Sequence, residues 1–222
     1  MAARSLRRDP WTWVGLVCAI AFVVLAMLVV RRGGLAFDEP FSEWLRGLPV
    51  PAWFWEACTF LGGAILIAIG FAMGLAALVT RRYRLVLVIA IVLIGSALLT
   101  DAVKDLVMRQ RPPDPITGTD GYSFPSGHTL NSTATYGLLA VIAWRSRLSL
   151  GIRRAAVVIG VVVPVLVGLS RIALGAHWPT DVLAGWLAGT AFVALGAVLI
   201  DGTGAMAGQT PGGDSGHIRS LG

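Results

Sequence analysis

The feature that most constrains this chain is a series of apolar runs about as long as a bilayer is thick, separated by short arginine clusters. A helix crossing the ~30 Å hydrocarbon core needs about 20 mostly apolar residues. Lipid offers no partner to an unpaired backbone group, so such runs must be helical. Six windows qualify: residues 11–30, 58–79, 83–100, 129–143, 154–169 and 181–200. The third can run on past Asp101, and the fourth is short. The expected fold is an all-α bundle of six transmembrane helices, with residues 1–202 as one membrane domain. Residues 203–222, rich in Gly, Ser and Thr, read as a disordered cytoplasmic tail.

Composition agrees. The chain is 56% hydrophobic and only 14% charged, where a soluble domain carries about 25% charged residues. A net charge of +6 would suit a nucleic-acid binder if the basic residues formed one face. They lie instead between apolar runs, which excludes that class and points to membrane topology. The first run follows Arg4, Arg7 and Arg8, as in a signal peptide. Its length, and Arg31-Arg32-Gly33-Gly34 in place of a small-residue cleavage site, make it a retained anchor. Cys18 and Cys58 lie within or at the edge of apolar runs and form no disulfide framework.

Orientation follows from basic residues in the short loops. With the N-terminus inside, Arg4, Arg7, Arg8, Arg81, Arg82, Arg84, Arg145, Arg147, Arg153, Arg154 and Arg219 are cytoplasmic. Arg31, Arg32, Arg46, Lys104, Arg109, Arg111 and Arg171 face out. The expected setting is the plasma or inner membrane, multi-pass, with both termini in the cytoplasm. In the long outer loop 31–57, residues 38–46 can form a short amphipathic helix with Phe41, Trp44 and Leu45 against the interface. Trp53 and Trp55 suit an aromatic belt. Gly70-x-x-x-Gly74 and Gly185-x-x-x-Gly189 read as close helix contacts, and Pro164 as a kink in the fifth span.

Three outer segments carry polar residues that solubility does not require, and in the six-span arrangement all three reach one membrane face. His177 and Asp181 are four apart. On a helical turn they can hydrogen-bond, the carboxylate fixing the tautomer of a nucleophilic or basic imidazole. They can equally be a helix start capped by Thr180 or Asp181, or a metal pair, although no Cys or Glu cluster accompanies them. Pro125-Ser126-Gly127-His128 leads into a helix whose free N–H groups would cradle a phosphate; a plain helix start is the alternative. Lys104 and Arg111 are seven apart. Intrahelical pairs Asp101–Lys104 and Asp105–Arg109 account for Arg109 but leave Arg111 and Arg171 unpaired. Three cations at the mouth of a bundle call for an anion, and a phosphoryl group fits guanidinium geometry.

These segments resemble the three-part signature of the type 2 phosphatidic acid phosphatase superfamily. The matching elements are Lys-x6-Arg-Pro at Lys104, Arg111 and Pro112, then Pro-Ser-Gly-His at 125–128, then Ser-Arg-x5-His-x3-Asp at Ser170, Arg171, His177 and Asp181. The resemblance implies an enzyme without metal or other cofactor. In it His177 attacks phosphorus to form a phosphohistidine, Asp181 orients it, and His128 protonates the leaving oxygen. Lys104, Arg111, Ser126, Gly127 and Arg171 would hold the phosphoryl oxygens. Soluble haloperoxidases and acid phosphatases share the signature, but the apolar spans here argue against them. The expected substrate is a polyprenyl (undecaprenyl or decaprenyl) diphosphate at the extracytoplasmic face. The alternative is phosphatidate or phosphatidylglycerophosphate. A non-catalytic phospholipid-binding protein is a further reading, weakened by the intact His177, Asp181 and His128. The signature reads the phosphate and not the tail.

Overall fold

The computed structural model describes residues 9–113, 115, 116 and 120–206. Its elements are α1 (Pro10–Arg32), α2 (Asp38–Arg46), α3 (Ala52–Phe60), α4 (Ile65–Val79), α5 (Tyr83–Val107), α6 (Gly127–Trp144), α7 (Leu150–Ala173) and α8 (Pro179–Thr203). No strand occurs among the described residues. Local chemistry sets the ends of α1: Asp9 accepts a hydrogen bond from the Trp11 amide at 3.0 Å, and Gly33 closes the helix in the left-handed conformation.

Five helical segments are long and apolar enough to cross a membrane: α1, the run Ala52–Val79, α5, α7 and α8. The run Ala52–Val79 starts earlier than the sequence predicts and breaks into α3 and α4 at residues 61–64. A Cβ on Gly62 would collide with Val167 Cγ1, so α7 passes directly against this break. The expected fourth span is a helix, α6, but it is too polar to count with the five. Its first half holds His128, Asn131, Ser132, Thr133 and Thr135. Position explains this composition. α6 lies between α5, α7 and α8, and its hydroxyls bond back to its own carbonyls, as Thr133 does to Thr129 at 2.7 Å. A helix walled by protein needs no lipid-compatible surface.

Half of the apolar window of α8 is buried, against 11% for Ala52–Val79. α8 is therefore a central post, and α3–α4 a peripheral one. Gly185 and Gly189 make the α6–α8 approach close: a Cβ on Gly189 would lie 2.5 Å from Thr133 Cβ and 2.8 Å from Leu130 O. The other glycine pair behaves differently. A Cβ on Gly70 would lie 2.8 Å from Leu93 Cδ1, a close packing contact with α5, whereas nothing stands within 4 Å of a Cβ on Gly74. Gly74 alone opens a space where the sequence predicts packing.

The loop 31–57 also departs from expectation. α2 forms at the predicted residues, yet Leu45 turns inward onto Ile172, Ala173, Leu174 and Val182, and Asp38 is buried with it. Trp53 is exposed, whereas Trp55 is buried against the same cluster and not in a belt. At the chain's end, α8 continues to Thr203, and Ala205 packs into the α5–α6–α8 core. Residues 203–206, expected in a disordered tail, thus belong to the fold, and the rest of that tail, residues 207–222, lies outside the described residues.

Candidate active site

The three polar segments meet at one end of the bundle. α5 stops at Val107 because Met108 turns left-handed (φ 49), which carries Arg109 off the helix. The chain then runs back against the loop between α7 and α8. The Ser123 amide donates to Arg109 O at 2.9 Å, and the Ser126 amide to Asp181 O at 3.0 Å. Gly175, at φ 70, makes the turn that presents His177.

His177 Nδ1 lies 2.7 Å from Ser123 O. A carbonyl only accepts, so Nδ1 carries the proton, and the neutral ring keeps its lone pair on Nε2. Nε2 faces the Arg111 guanidinium at 3.3 Å. Burial pushes the imidazole pKa down to about 4, opposed by the Asp181 carboxylate and reinforced by Arg171 and Arg111. The ring is thus neutral at pH 7, with Nε2 available as a nucleophile or base. Asp181 does not take the hydrogen bond that the sequence spacing predicts: Oδ2 stands 3.6 Å from Nδ1, beyond hydrogen-bond range. The reason is local. α8 starts only at Pro179, so His177 precedes the helix, and Oδ2 accepts instead from the Trp178 amide at 2.8 Å. Asp181 is both a helix-start residue and a charge beside His177.

Lys104, Arg111, Gly127, His128, Arg171 and His177 line one groove mouth. Arg111 is held by carbonyls, donating to Ala176 O at 2.7 Å, Asp120 O at 2.8 Å, Gly121 O at 2.9 Å and Tyr122 O at 3.2 Å. Arg171 is 5% exposed. It donates to Thr59 Oγ1 at 3.3 Å, while its buried Nε has no partner. A buried guanidinium so poorly satisfied suits an anion. Ser126 stands apart from the other signature residues. It is fully buried behind Gly127, and its Oγ accepts from Thr129 at 2.9 Å. Among the described residues no cluster of three or more His, Cys, Asp or Glu side chains could hold a metal ion.

Two residues enter the site without a role in the sequence reading. Arg109, which the spacing assigns to Asp105, bonds Asp181 Oδ1 at 2.6 Å and Asp38 Oδ2 at 2.7 Å. Asp38 comes from α2, 71 residues away. No sequence periodicity links the two.

The groove continues from the cationic mouth between α4 and α5, enclosing about 1090 Å³. Its walls include Gly70, Phe71, Gly74, Leu78, Val86 and Leu93. It joins a mouth lined by Lys104, Arg111 and Arg171 to an apolar channel.

Comparison with known proteins fits this geometry. The PAP2 superfamily family profile matches residues 83–203. The chain is 29% identical over 178 residues to phosphatidylglycerophosphatase B of Bacillus subtilis, covering 76% of this chain and 85% of that protein. It is 34% identical over 135 residues to an undecaprenyl-diphosphatase of Sulfolobus acidocaldarius, covering 56% and 58%. The crystal structure of a transmembrane PAP2-type phosphatidylglycerolphosphate phosphatase from Bacillus subtilis superposes with a TM-score of 0.76 at 25% identity, over 90% of this chain and all of that one. Fold, signature and groove therefore agree, and the chain belongs to the PAP2 superfamily as a transmembrane lipid phosphatase.

Proposed function

We propose that this protein hydrolyses a polyprenyl diphosphate to the monophosphate at the extracytoplasmic face of the cell membrane, through a phosphohistidine on His177. α6 is then a sixth span, sheltered by its neighbours, and residues 1–202 form one domain with both termini in the cytoplasm. Setting aside Lys104, Arg111 and Arg171 as phosphate ligands leaves four basic residues outside against eleven inside, which favours this orientation.

His177 Nε2 attacks the terminal phosphorus while the bond to the bridging oxygen breaks. Lys104, Arg111 and Arg171, with the Gly127 amide, carry the charge on the equatorial oxygens. Ser126 acts from behind by fixing the start of α6. His128 donates a proton to the leaving polyprenyl monophosphate, then takes one from the water that attacks the phosphohistidine. Cleavage of the P–N bond returns the electron pair to Nε2 and releases inorganic phosphate.

One observation carries the choice of lipid. From Lys104 to Val86 the groove follows α5 for 18 residues, about 27 Å at 1.5 Å per residue. The acyl chains of one leaflet occupy about half of the ~30 Å hydrocarbon core. A groove running nearly the full depth suits a single longer chain. The similarity to the Bacillus subtilis phosphatidylglycerolphosphate phosphatase favours a second reading, a glycerophospholipid monoester.

The test compares purified protein on a long polyprenyl diphosphate, on farnesyl diphosphate and on phosphatidylglycerophosphate. The long diphosphate is expected to have the highest kcat/KM. Gly74→Leu, at a position where a Cβ meets nothing within 4 Å, should raise KM for the long chain and leave farnesyl diphosphate unaffected. Preference for phosphatidylglycerophosphate, with no effect of Gly74→Leu, establishes the second reading.

A further inference from the structure

Behind His177 lies a buried polar cluster of which the signature contains only Asp181. Asp38 Oδ1 accepts from the Thr180 amide at 2.9 Å, and its Oδ2 from Arg109 at 2.7 Å, Thr180 Oγ1 at 2.9 Å and the Leu35 amide at 3.0 Å. Arg109 also donates to Thr180 Oγ1 at 2.6 Å, Asp181 Oδ1 at 2.6 Å and Gly33 O at 3.1 Å. Asp38 is 4% exposed, Arg109 7%, and Thr180 and Asp181 not at all. The helix that supplies Asp38 is itself fixed across the catalytic loop. Leu45 sits on Ile172, Leu174 and Val182, and the Arg46 guanidinium lies so close over Gly175 that a Cβ there would meet it.

The arrangement separates two tasks. Arg109 touches Asp181 directly, and alone it would cancel the charge that Asp181 offers His177. Asp38 supplies a second carboxylate, so the buried cluster of two carboxylates and one guanidinium keeps one net negative charge, with Asp181 the member nearest the imidazole. Asp38 also holds the first turn of α8, through the Thr180 amide and hydroxyl, and therefore fixes where Asp181 stands. When Nε2 bonds to phosphorus while Nδ1 keeps its proton, the ring gains positive charge, which that net negative charge stabilises.

We propose that Asp38, on outer helix α2, is a positioning residue of the active site: it seats Arg109 and the start of α8 and leaves the Asp181 charge free to act on His177. This rests on His177 being the nucleophile. It also gives the outer loop 31–57 a task, which is to brace the catalytic loop from the membrane surface.

The experiment uses the full chain in detergent, with farnesyl diphosphate as substrate and rates scaled to folded protein by thermal unfolding. Asp38→Asn keeps the shape and removes the charge. Its kcat should fall roughly 10²-fold, on the scale of a misplaced catalytic group, with KM unchanged. The acid limb of kcat/KM should move to lower pH, because a weaker negative field makes His177 harder to protonate. The other charged groups facing His177, namely Asp181, Arg111, Arg171, His128 and Lys104, are the same in every variant. Asp38→Glu keeps the charge on a longer arm, so kcat should fall with the limb unmoved; it carries the test if the asparagine variant does not fold. Asp38→Asn with Arg109→Gln restores the net charge and should return the limb toward its original pH. A folded Asp38→Asn protein with unchanged kcat overturns the proposal, as does a loss of kcat with an unmoved limb in that variant; where only Asp38→Glu folds, an unchanged kcat in it overturns the proposal. Rapid quench with ³²P-labelled substrate separates this from the parent reading. Absence of labelled phosphohistidine in the unmodified protein removes the nucleophile itself, whereas a labelled enzyme indifferent to Asp38 defeats only the role given to Asp38.

Discussion

The two ends of the bundle use arginine in opposite ways. At the site end, Arg109 is buried and bonded to two carboxylates, Asp38 and Asp181, whose side chains are 5% and 0% exposed. At the other end, Arg145 meets Asp201 where the two side chains are 19% and 49% exposed. Arg84 there donates to the Thr203 carbonyl, close to the end of α8. Removing one partner of a buried pair strands the other charge and costs about 3–5 kcal/mol. Removing one partner of an exposed pair costs about 0–1 kcal/mol. At the site end the geometry of each charge matters; at the far end mainly their number does, as a determinant of orientation.

The largest effect tests the site end at its centre. His177→Ala should abolish turnover of every lipid phosphate while the protein stays folded, as judged by unchanged helical circular dichroism and melting. Asp181→Asn should follow, with kcat lower by roughly 10²–10⁴-fold, as for other orienting carboxylates. Near-normal turnover in purified His177→Ala protein would reduce the site end to scaffolding. The pH profile sharpens the point. In the proposed mechanism the neutral ring of His177 is the reactive form, and burial holds its pKa near 4, so the acid limb of activity should lie near that value. kcat/KM, which reports the free enzyme, should hold through the ordinary histidine pKa of about 6.5 and decline toward pH 4. A midpoint near 6.5 would show that His177 is solvated.

A smaller effect is expected midway between the ends, where α6 and α8 cross. Gly189→Ala puts a methyl group against Thr133 and the Leu130 carbonyl. The carbonyl belongs to a helix backbone and cannot step aside. The variant should lose about 1–3 kcal/mol, the usual cost of overpacking, read as a lower melting temperature in detergent. Gly74→Ala, on the open groove, should leave melting unchanged.

That contrast marks the limit of what the sequence reveals. Small-xxx-small spacing is the same at Gly70/Gly74 and Gly185/Gly189, so spacing alone cannot show that Gly74 faces an open groove while Gly70, Gly185 and Gly189 pack. The signature residues were legible because each motif is contiguous and each follows or precedes an apolar run. Five of the six windows were legible because lipid demands apolar length. α6 matched less well in composition because protein surrounds it. The Asp38–Arg109 bond was not legible. Its partners lie 71 residues apart, and Asp105 offers Arg109 a nearer match until Met108 ends the helix. Nor could spacing show that Ser123 O, and not Asp181, would hold Nδ1, since that depends on where α8 begins.

The smallest effect is predicted at the far end, where a good-looking contact should contribute little. Arg145 grips Asp201 with two bonds, Nε to Oδ1 at 2.7 Å and a terminal nitrogen to Oδ2 at 2.5 Å. Bidentate geometry puts the pair at the upper end of its class, but both side chains contact solvent or headgroups, where high dielectric and salt weaken the attraction. Holding two long side chains in one geometry also costs entropy. Arg145→Ala should therefore change unfolding stability by at most about 1 kcal/mol, with the difference shrinking as salt is raised. kcat and KM should not change, because the pair joins the ends of α6 and α8 farthest from His128 and Asp181. Orientation should survive as well, since ten of the eleven basic residues assigned to the cytoplasmic side in the proposed orientation remain. A loss matching that of Gly189→Ala, or a change in turnover, would mean that the far end transmits strain along α6 or α8 to the site, and the division between the two ends would fail.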